Sequence, residues 1–325
     1  MRAAQISSYD GPGAVTVGEV PDPVPTAEQV LIEVRAAGVV FPEVLQTRGA
    51  YQLKPELPYV PGSEVAGVVR WAPPDGPVRV GDRVAAFTAL GGFAELAAVD
   101  LSAVFALPDE ISFEVGAALL LNYLTVHFAL VRRGRLRRGD TVLVHGAAGG
   151  VGTAATQLAV ALGARVIAVV SSAAKAEVAR QAGATDVVSV DGFRDQVAQL
   201  CGSAPSGGVD IVVDPVGGDR FTDSLRCLRP EGRLLVIGFA AGDIPTIKVN
   251  RLLLNNVDVV GVGWGAFLSA EPDYVRKQWA DIEPLVRSGA ISPVVGEVFS
   301  LESAADALRL IDERQATGHV VLRIG

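Results

Sequence analysis

The stretch Val142-Leu143-Val144-His145-Gly146-Ala147-Ala148-Gly149-Gly150-Val151-Gly152 decides the fold. An apolar strand runs into a glycine-rich turn. A helix-compatible run with small residues (Thr153, Ala154, Ala155, Ala159) follows. In the register of a dinucleotide loop it reads Ala147-x-Gly149-x-x-Gly152, with alanine in the first glycine slot. Ala148, Gly149, Gly150 and Val151 are then the residues set against a pyrophosphate. Gly149 lets the backbone approach it, and Gly152 lets helix and strand pack closely. The helix N-terminus adds unpaired N–H groups and a partial positive charge.

A glycine pattern alone is weak evidence, but its surroundings agree with it. Further strands are predicted at Arg165–Val170, Asp186–Val188, Val209–Val213, Arg233–Ile237 and Val257–Val262. Helix-length stretches lie between them: Val151–Leu162, Ala173–Gln181, Phe193–Cys201 and Phe221–Leu228. Apolar strands alternating with helices indicate a parallel sheet covered on both faces, and six of them make a doubly wound, dinucleotide-binding sheet. Ligands bind outside the carboxyl ends of such strands. This marks Ile237, Gly238 and Phe239, and Gly263, Trp264 and Gly265, as cofactor-side residues.

Upstream, β-branched runs at Gln29–Val34, Glu64–Trp71 and Arg83–Phe87 alternate with proline-rich turns, so this region is expected to be mostly β with few long helices. A helix is predicted over Glu114–Val131. Downstream, a helix is predicted over Tyr274–Ser288, and another is expected to open at Ser300 as N-cap with Glu302 in its first turn. The tail His319–Ile324 reads as a strand returning to the first domain's sheet. The expected division is residues 1–121 plus 265–325 for one discontinuous domain and 122–264 for the dinucleotide-binding domain.

Which nicotinamide cofactor binds is read about 20 residues past the glycines, where NAD-binding sheets place an acidic residue for the ribose hydroxyl. This chain has Val170-Ser171-Ser172-Ala173-Ala174-Lys175 there. No carboxylate repels a 2′-phosphate, and Ser171, Ser172 and Lys175 offer two hydroxyls and a cation. NADPH is the expected cofactor.

Composition excludes other classes. Lys plus Arg number 28 against 36 Asp plus Glu, a formal charge of −8, so the chain is a poor general ligand for nucleic acid. The cluster Arg132, Arg133, Arg135, Arg137 and Arg138 reads as a solvated connection. The apolar stretch Ala117–Val131 is shorter than the about 20 residues of a membrane span, and the N-terminus carries no apolar signal core. Two cysteines, Cys201 and Cys227, make no disulfide framework. A cytoplasmic protein without membrane or nucleic-acid partners is expected.

With these residues in hand the chain resembles the medium-chain dehydrogenase/reductase superfamily, and within it the quinone oxidoreductase group that includes zeta-crystallin. The resemblance rests on Ala36-Ala37-Gly38-Val39, Arg48-Gly49-Ala50-Tyr51, Leu57 through Gly67, Gly81-Asp82-Arg83-Val84, the Gly146–Gly152 loop, Asp214-Pro215-Val216-Gly217-Gly218 and Gly318 through Leu322. It implies an α/β chain in which a Rossmann doubly wound parallel sheet is inserted in a GroES-like, mostly-β catalytic domain. Zinc relatives share that fold, and a catalytic zinc needs about three protein ligands. Where those relatives carry their first cysteine, this chain has Val39-Val40-Phe41, and where they carry Gly-His-Glu it has Gly62-Ser63-Glu64. The histidines at 127, 145 and 319 are scattered, and each reads as packed or solvated. No zinc site is expected.

The resemblance further implies that Tyr51 sits beside the nicotinamide as a neutral donor, and that Asn122, Tyr123 and Thr125 precede the cofactor domain near the carboxamide, Thr125 being the hydroxyl backed for contact. Val40 stands where many quinone oxidoreductases have asparagine, which makes the pocket less polar. Glu64 is read as a buried ion-pair partner. Three functions fit: NADPH-dependent reduction of a quinone or enone, reduction of an enoyl thioester with Arg48 and Lys54 as phosphate partners, or non-catalytic NADPH binding. The resemblance also implies a homodimer, paired through Val257–Val262.

Overall fold

The computed structural model describes residues 1–202 and 207–325. They form two compact units, Met1–Leu121 with Pro293–Gly325, and Asn122–Ser292.

In the second unit six strands form one parallel sheet: β1 (Thr141–His145), β2 (Arg165–Val170), β3 (Asp186–Ser189), β4 (Val209–Asp214), β5 (Leu228–Val236) and β6 (Asp258–Gly261). Their order is β3-β2-β1-β4-β5-β6, the doubly wound order with its switch point between β1 and β4. Val142, Leu143, Val144, Ile211, Val212 and Val213 are fully buried. Successive residues on one strand face opposite sides, so both faces of the sheet are covered, as the uninterrupted apolar runs require.

Several boundaries differ from expectation. β5 starts five residues early, because Val209 pairs with Leu228 before a register shift brings Ile211 opposite Arg233. The helix expected over Phe221–Leu228 therefore closes at Arg226. The helix expected over Glu114–Val131 is broken into Phe113–Gly116 and Leu120–His127, followed by π winding over Phe128–Arg133. Glu64 sets the second start: its Oε2 accepts from the amides of Leu120 (3.2 Å) and Leu121 (2.9 Å), a carboxylate at a helix N-terminus. The whole run Phe113–Arg133 spans 21 residues, more than the apolar count allowed, and has the length and apolarity of a spanning helix; 72% of its window is buried inside the fold. Residues 265–292 fall in the second unit. There the helix Tyr274–Arg287 is tied to Leu120–His127 by a bond from Gln278 Nε2 to the Leu124 carbonyl.

The arginine cluster is exposed but engaged. Arg132 lies over the rings of Phe267 and Tyr274, and Arg133 Nε donates to the Gly261 carbonyl.

In the first unit the long strand Gln29–Val39 is the organising element. It pairs antiparallel with Glu64–Trp71, Leu96–Asp100 and, as the tail pattern predicts, His319–Arg323. Ser300 makes no side-chain cap. A short 3-10 turn, Leu301–Ser303, intervenes, and the helix runs Ala304–Asp312. Both Glu64 and His319 are buried, with Glu64 Oε1 3.0 Å from His319 Nε2. Removing one partner of such a pair strands the other in a low-dielectric core. Glu64→Ala also orphans two helix amides, so its expected cost is about 3–5 kcal/mol, read as a lowered urea midpoint with an unchanged slope.

Candidate active site

A β-carbon on Gly152 would lie 2.1 Å from the Gly146 carbonyl oxygen and 2.6 Å from the Ala147 Cα. Only glycine permits the crossing of turn and helix at this point. Gly146 itself has φ +58°, a left-handed conformation that ends β1 abruptly. Gly149 is the N-cap of the helix Gly150–Ala161, with its amide bonded to Gly146 O at 3.0 Å. The first-turn amides of this twelve-residue helix have no acceptor inside it. Gly150, Val151 and Gly152 carry these amides directly after Ala148 and Gly149, with no side chain larger than valine among the five. This cradle fits a pyrophosphate.

Neighbouring strand ends are stapled to it. Asp214 closes β4, and its Oδ1 accepts from the amides of Val216 and Gly217, both at 2.9 Å. Burial raises this carboxyl above its ordinary range, against those amides. The segment after β5 is then zipped onto the Asp214 turn: Ile237 N donates to Asp214 O, Ala240 N to Pro215 O, and Ala241 N to Val216 O. Ile237, Gly238 and Phe239 are half-buried along this edge. At the end of β2, Ser171 and Ser172 are exposed and Lys175 is half-buried. Ser172 Oγ accepts from the Lys175 amide at 3.3 Å. Capping uses a lone pair and leaves the hydroxyl proton to donate.

Besides Ile237–Phe239, two further segments expected near the nicotinamide belong to the second unit. Asn122, Tyr123 and Thr125 lie on the helix Leu120–His127, with Asn122 buried and Thr125 half-buried. Tyr123 is committed elsewhere: its hydroxyl donates to Gln157 Oε1 at 2.6 Å. Gly263 and Gly265 are exposed and flank Trp264, which is 4% exposed, its indole N–H donated to Gln278.

In the first unit Tyr51 and Val40 share their surroundings with an acid that sequence reasoning missed. Glu43 is fully buried. Its Oε2 accepts from the Val40 amide at 2.8 Å, and its Oε1 lies 2.6 Å from Ser63 Oγ. Burial pushes its carboxyl up to about 8, against the bonds from Ser63 and Val40. The Tyr51 phenol is raised too, by burial first and then by Glu43, so it remains a neutral donor at pH 7. The available signal was spacing: an acid three residues after the residue that opens a helix is a capping pattern. Arg48 is not a free cation. Nη1 and Nη2 donate to Asp312 Oδ1 and Oδ2 at 2.7 and 2.5 Å.

Residues 26–109 match the family described as alcohol dehydrogenase GroES-like domain, and residues 150–281 the one described as zinc-binding dehydrogenase. Quinone oxidoreductase-like protein 2 of Bos taurus is 37% identical over 328 residues, covering 99% of this chain and 92% of that protein. This chain belongs to the medium-chain dehydrogenase/reductase superfamily, in its quinone oxidoreductase group. Among solved members, a probable oxidoreductase from Mycobacterium abscessus is 43% identical at a TM-score of 0.90, covering 99% of this chain and 98% of that one. The quinone oxidoreductase of Thermus thermophilus, also solved as its complex with NADPH, is 33% identical at 0.86, covering 99% and 100%.

For a superfamily whose cofactor-domain family is described as zinc-binding, the donors must be tested. Val40 offers an alkyl group, the Ser63 hydroxyl is taken up with Glu43, and Glu64 is engaged by two amides and His319. Cys201 and Cys227 belong to the other unit, where burial raises both thiols. These residues do not fit a catalytic zinc, whose ligands are Cys, His or carboxylate groups free to coordinate.

Two outcomes follow from the geometry. Gly152→Ala forces the cradle open, with an expected loss of about 1–3 kcal/mol in stability and of NADPH binding by calorimetry. Glu43 carries a folded-state pKa of about 8 against 4.5 for the exposed acid. The folded chain holds a proton in that window that the unfolded chain releases, so the wild type loses stability as pH rises from about 5 to 8. Glu43→Gln lacks this term. Its melting temperature relative to wild type should climb across the same window; parallel pH profiles would refute the assignment.

Proposed function

We propose that this chain is an NADPH-dependent, zinc-independent reductase that transfers hydride to a quinone or similarly electron-poor carbonyl acceptor. The observation that carries this reading is the cradle at Ala148–Val151 together with the end of β2, where Ser171, Ser172 and Lys175 stand and no carboxylate does. NADPH is the cofactor of the related Thermus thermophilus complex. The bound cofactor supplies the hydride.

The chain's own residues hold, orient and protonate. Amides at the start of the helix Gly150–Ala161 take the pyrophosphate. Ser171, Ser172 and Lys175 take the 2′-phosphate by charge-assisted bonds. In the second unit Asn122, Thr125, Ile237, Gly238, Phe239, Gly263, Trp264 and Gly265 make up the nicotinamide end, with Thr125 as the hydroxyl for the carboxamide. Tyr51, kept neutral by burial, donates to the acceptor oxygen as negative charge develops there. Without a metal to polarise the acceptor, substrates already poor in electrons are favoured.

Reduction of an enoyl thioester is the second reading. The bidentate pairing of Arg48 with Asp312 weighs against it, because one of the two cations proposed for a CoA phosphate is already neutralised.

We further propose a homodimer. Among the described residues β6 has a strand neighbour on one side only. The adjoining helix Asn250–Asn255 leaves Leu253 and Leu254 about three-quarters exposed, near Val249 and Ile244, which are equally bare. An open strand edge beside uncovered apolar side chains favours a two-fold partner. The free thiols Cys201 and Cys227 support a reducing, cytoplasmic setting.

The test is NADPH oxidation with 9,10-phenanthrenequinone in one cell and crotonyl-CoA in the other. Faster oxidation with the quinone is expected, and Tyr51→Phe should lower kcat roughly 10²-fold with NADPH affinity unchanged. Faster oxidation with the thioester would transfer the assignment to the second reading. Leu253→Glu combined with Leu254→Glu should halve the mass measured by light scattering; a wild-type monomer would overturn the dimer.

A further inference from the structure

Gln278 is the fully buried polar residue of the helix Tyr274–Arg287, sharing its inner face with Val275, Trp279 and Ile282. Its carboxamide spans three elements. Oε1 accepts from Trp264 Nε1 at 2.8 Å. Nε2 donates to the Leu124 carbonyl at 2.7 Å and lies 3.3 Å from His127 Nδ1. An indole N–H can only donate, so the amide oxygen must face Trp264 and the amide nitrogen must face His127. His127 Nδ1 is therefore the acceptor and Nε2 carries the proton, 3.2 Å from Asp281 Oδ2. Burial holds His127 below its ordinary range, against the opposing pull of Asp281, which agrees with the neutral ring this arrangement needs.

An apolar side chain would fill the same volume and leave the Trp264 N–H and the Leu124 carbonyl without these bonds. What the amide adds is a link. Leu124 precedes Thr125, and Trp264 stands between Gly263 and Gly265. These are two of the three segments of the second unit assigned above to the nicotinamide end. Leu124 also lies just before the change to π winding at Phe128, and such changes of winding are frequent at functional sites.

We infer that Gln278 is a positioning residue for the nicotinamide end of the cofactor site, its carboxamide locking the Leu124–Thr125 turn to the Gly263–Gly265 segment. The inference rests on the cofactor reading proposed above. It predicts a defect confined to one end of the cofactor, because the pyrophosphate cradle and the Ser171-Ser172-Lys175 corner make no bond to this amide.

The experiment measures dissociation constants of the full chain for NADPH and for adenosine 2′,5′-bisphosphate, which keeps the 2′-phosphate and lacks the nicotinamide mononucleotide half. Gln278→Leu should weaken NADPH about tenfold, the scale of unsatisfied buried groups, and leave the bisphosphate within about twofold. Gln278→Glu guards against a folding failure of the first variant. Its carboxylate accepts from Trp264 but cannot donate to Leu124 or His127. The charged groups around it are His127 and Asp281, with Arg132 and Tyr274 beyond Asp281. Its NADPH affinity, divided by that for the bisphosphate and referred to wild type at each pH, should be depressed at pH 8. It should recover toward pH 5.5, as protonation of the carboxyl or of His127 restores a donor. An equal loss for both ligands, or none for either, would overturn the positioning role alone. A wild type that binds the bisphosphate and NADPH equally would overturn the nicotinamide-end assignment, and the inference with it. A wild type that binds neither would overturn the cofactor reading itself.

Discussion

The crossing of the Gly146 carbonyl over Gly152 is the contact on which the cofactor-binding unit depends. A carbonyl oxygen occupies the place a β-carbon would need, so turn and helix lie against each other at backbone distance. That closeness brings the helix start directly beneath the end of β1. The rest of the carboxyl edge is built outward from there by backbone bonds: Asp214 shapes the turn after β4, and that turn holds Ile237 through Ala241. Each link fixes the next, so the edge is preorganised before any ligand arrives. An anion meets fixed dipoles and reorients nothing.

A second theme is how buried polar groups are accommodated. Glu64 accepts from two helix amides and lies beside His319; Gln278 is matched to an indole, a carbonyl and an imidazole. Glu43 has two partners, the Val40 amide and the Ser63 hydroxyl, neither of them a full positive charge, and it answers by keeping its proton. These are two different solutions to the cost of burying polar groups: hydrogen-bond partners in the first cases, neutralisation in the last. They fall where the chain must hold several elements in one arrangement, which apolar packing alone does not specify.

The fold was legible because its signals are periodic and local. Runs such as Val142–Val144 and Val209–Val213 are short, β-branched and bounded by turn residues, the pattern of buried strands, and the glycines between strand and helix gave the order its starting point. The returning strand His319–Arg323 was also read correctly from its β-branched run. What misled was tertiary. The register shift that lengthens β5 depends on its neighbour Val209. The break at Ala117–Leu119 depends on a carboxylate more than fifty residues upstream, Glu64. Neither leaves a mark in a local window. The glycine-rich turn and the helix start after it were legible for the same reason as the fold. Glu43 and Gln278 were not: Gln278 follows Arg276 and Lys277 and reads as one more surface polar residue, and the partners that bury Glu43 include Ser63, twenty residues away.

The central claim is that this edge of the sheet takes NADPH because Ser171, Ser172 and Lys175 replace the acid that NAD-binding chains place there. The most direct measurement is the dissociation constant of the wild type for NADPH and for NADH under identical salt and pH. The account predicts NADPH tighter by about tenfold or more, the scale of one or two charge-assisted bonds, with the difference collapsing in Lys175→Ala. Equal affinities, or a preference for NADH, would contradict it.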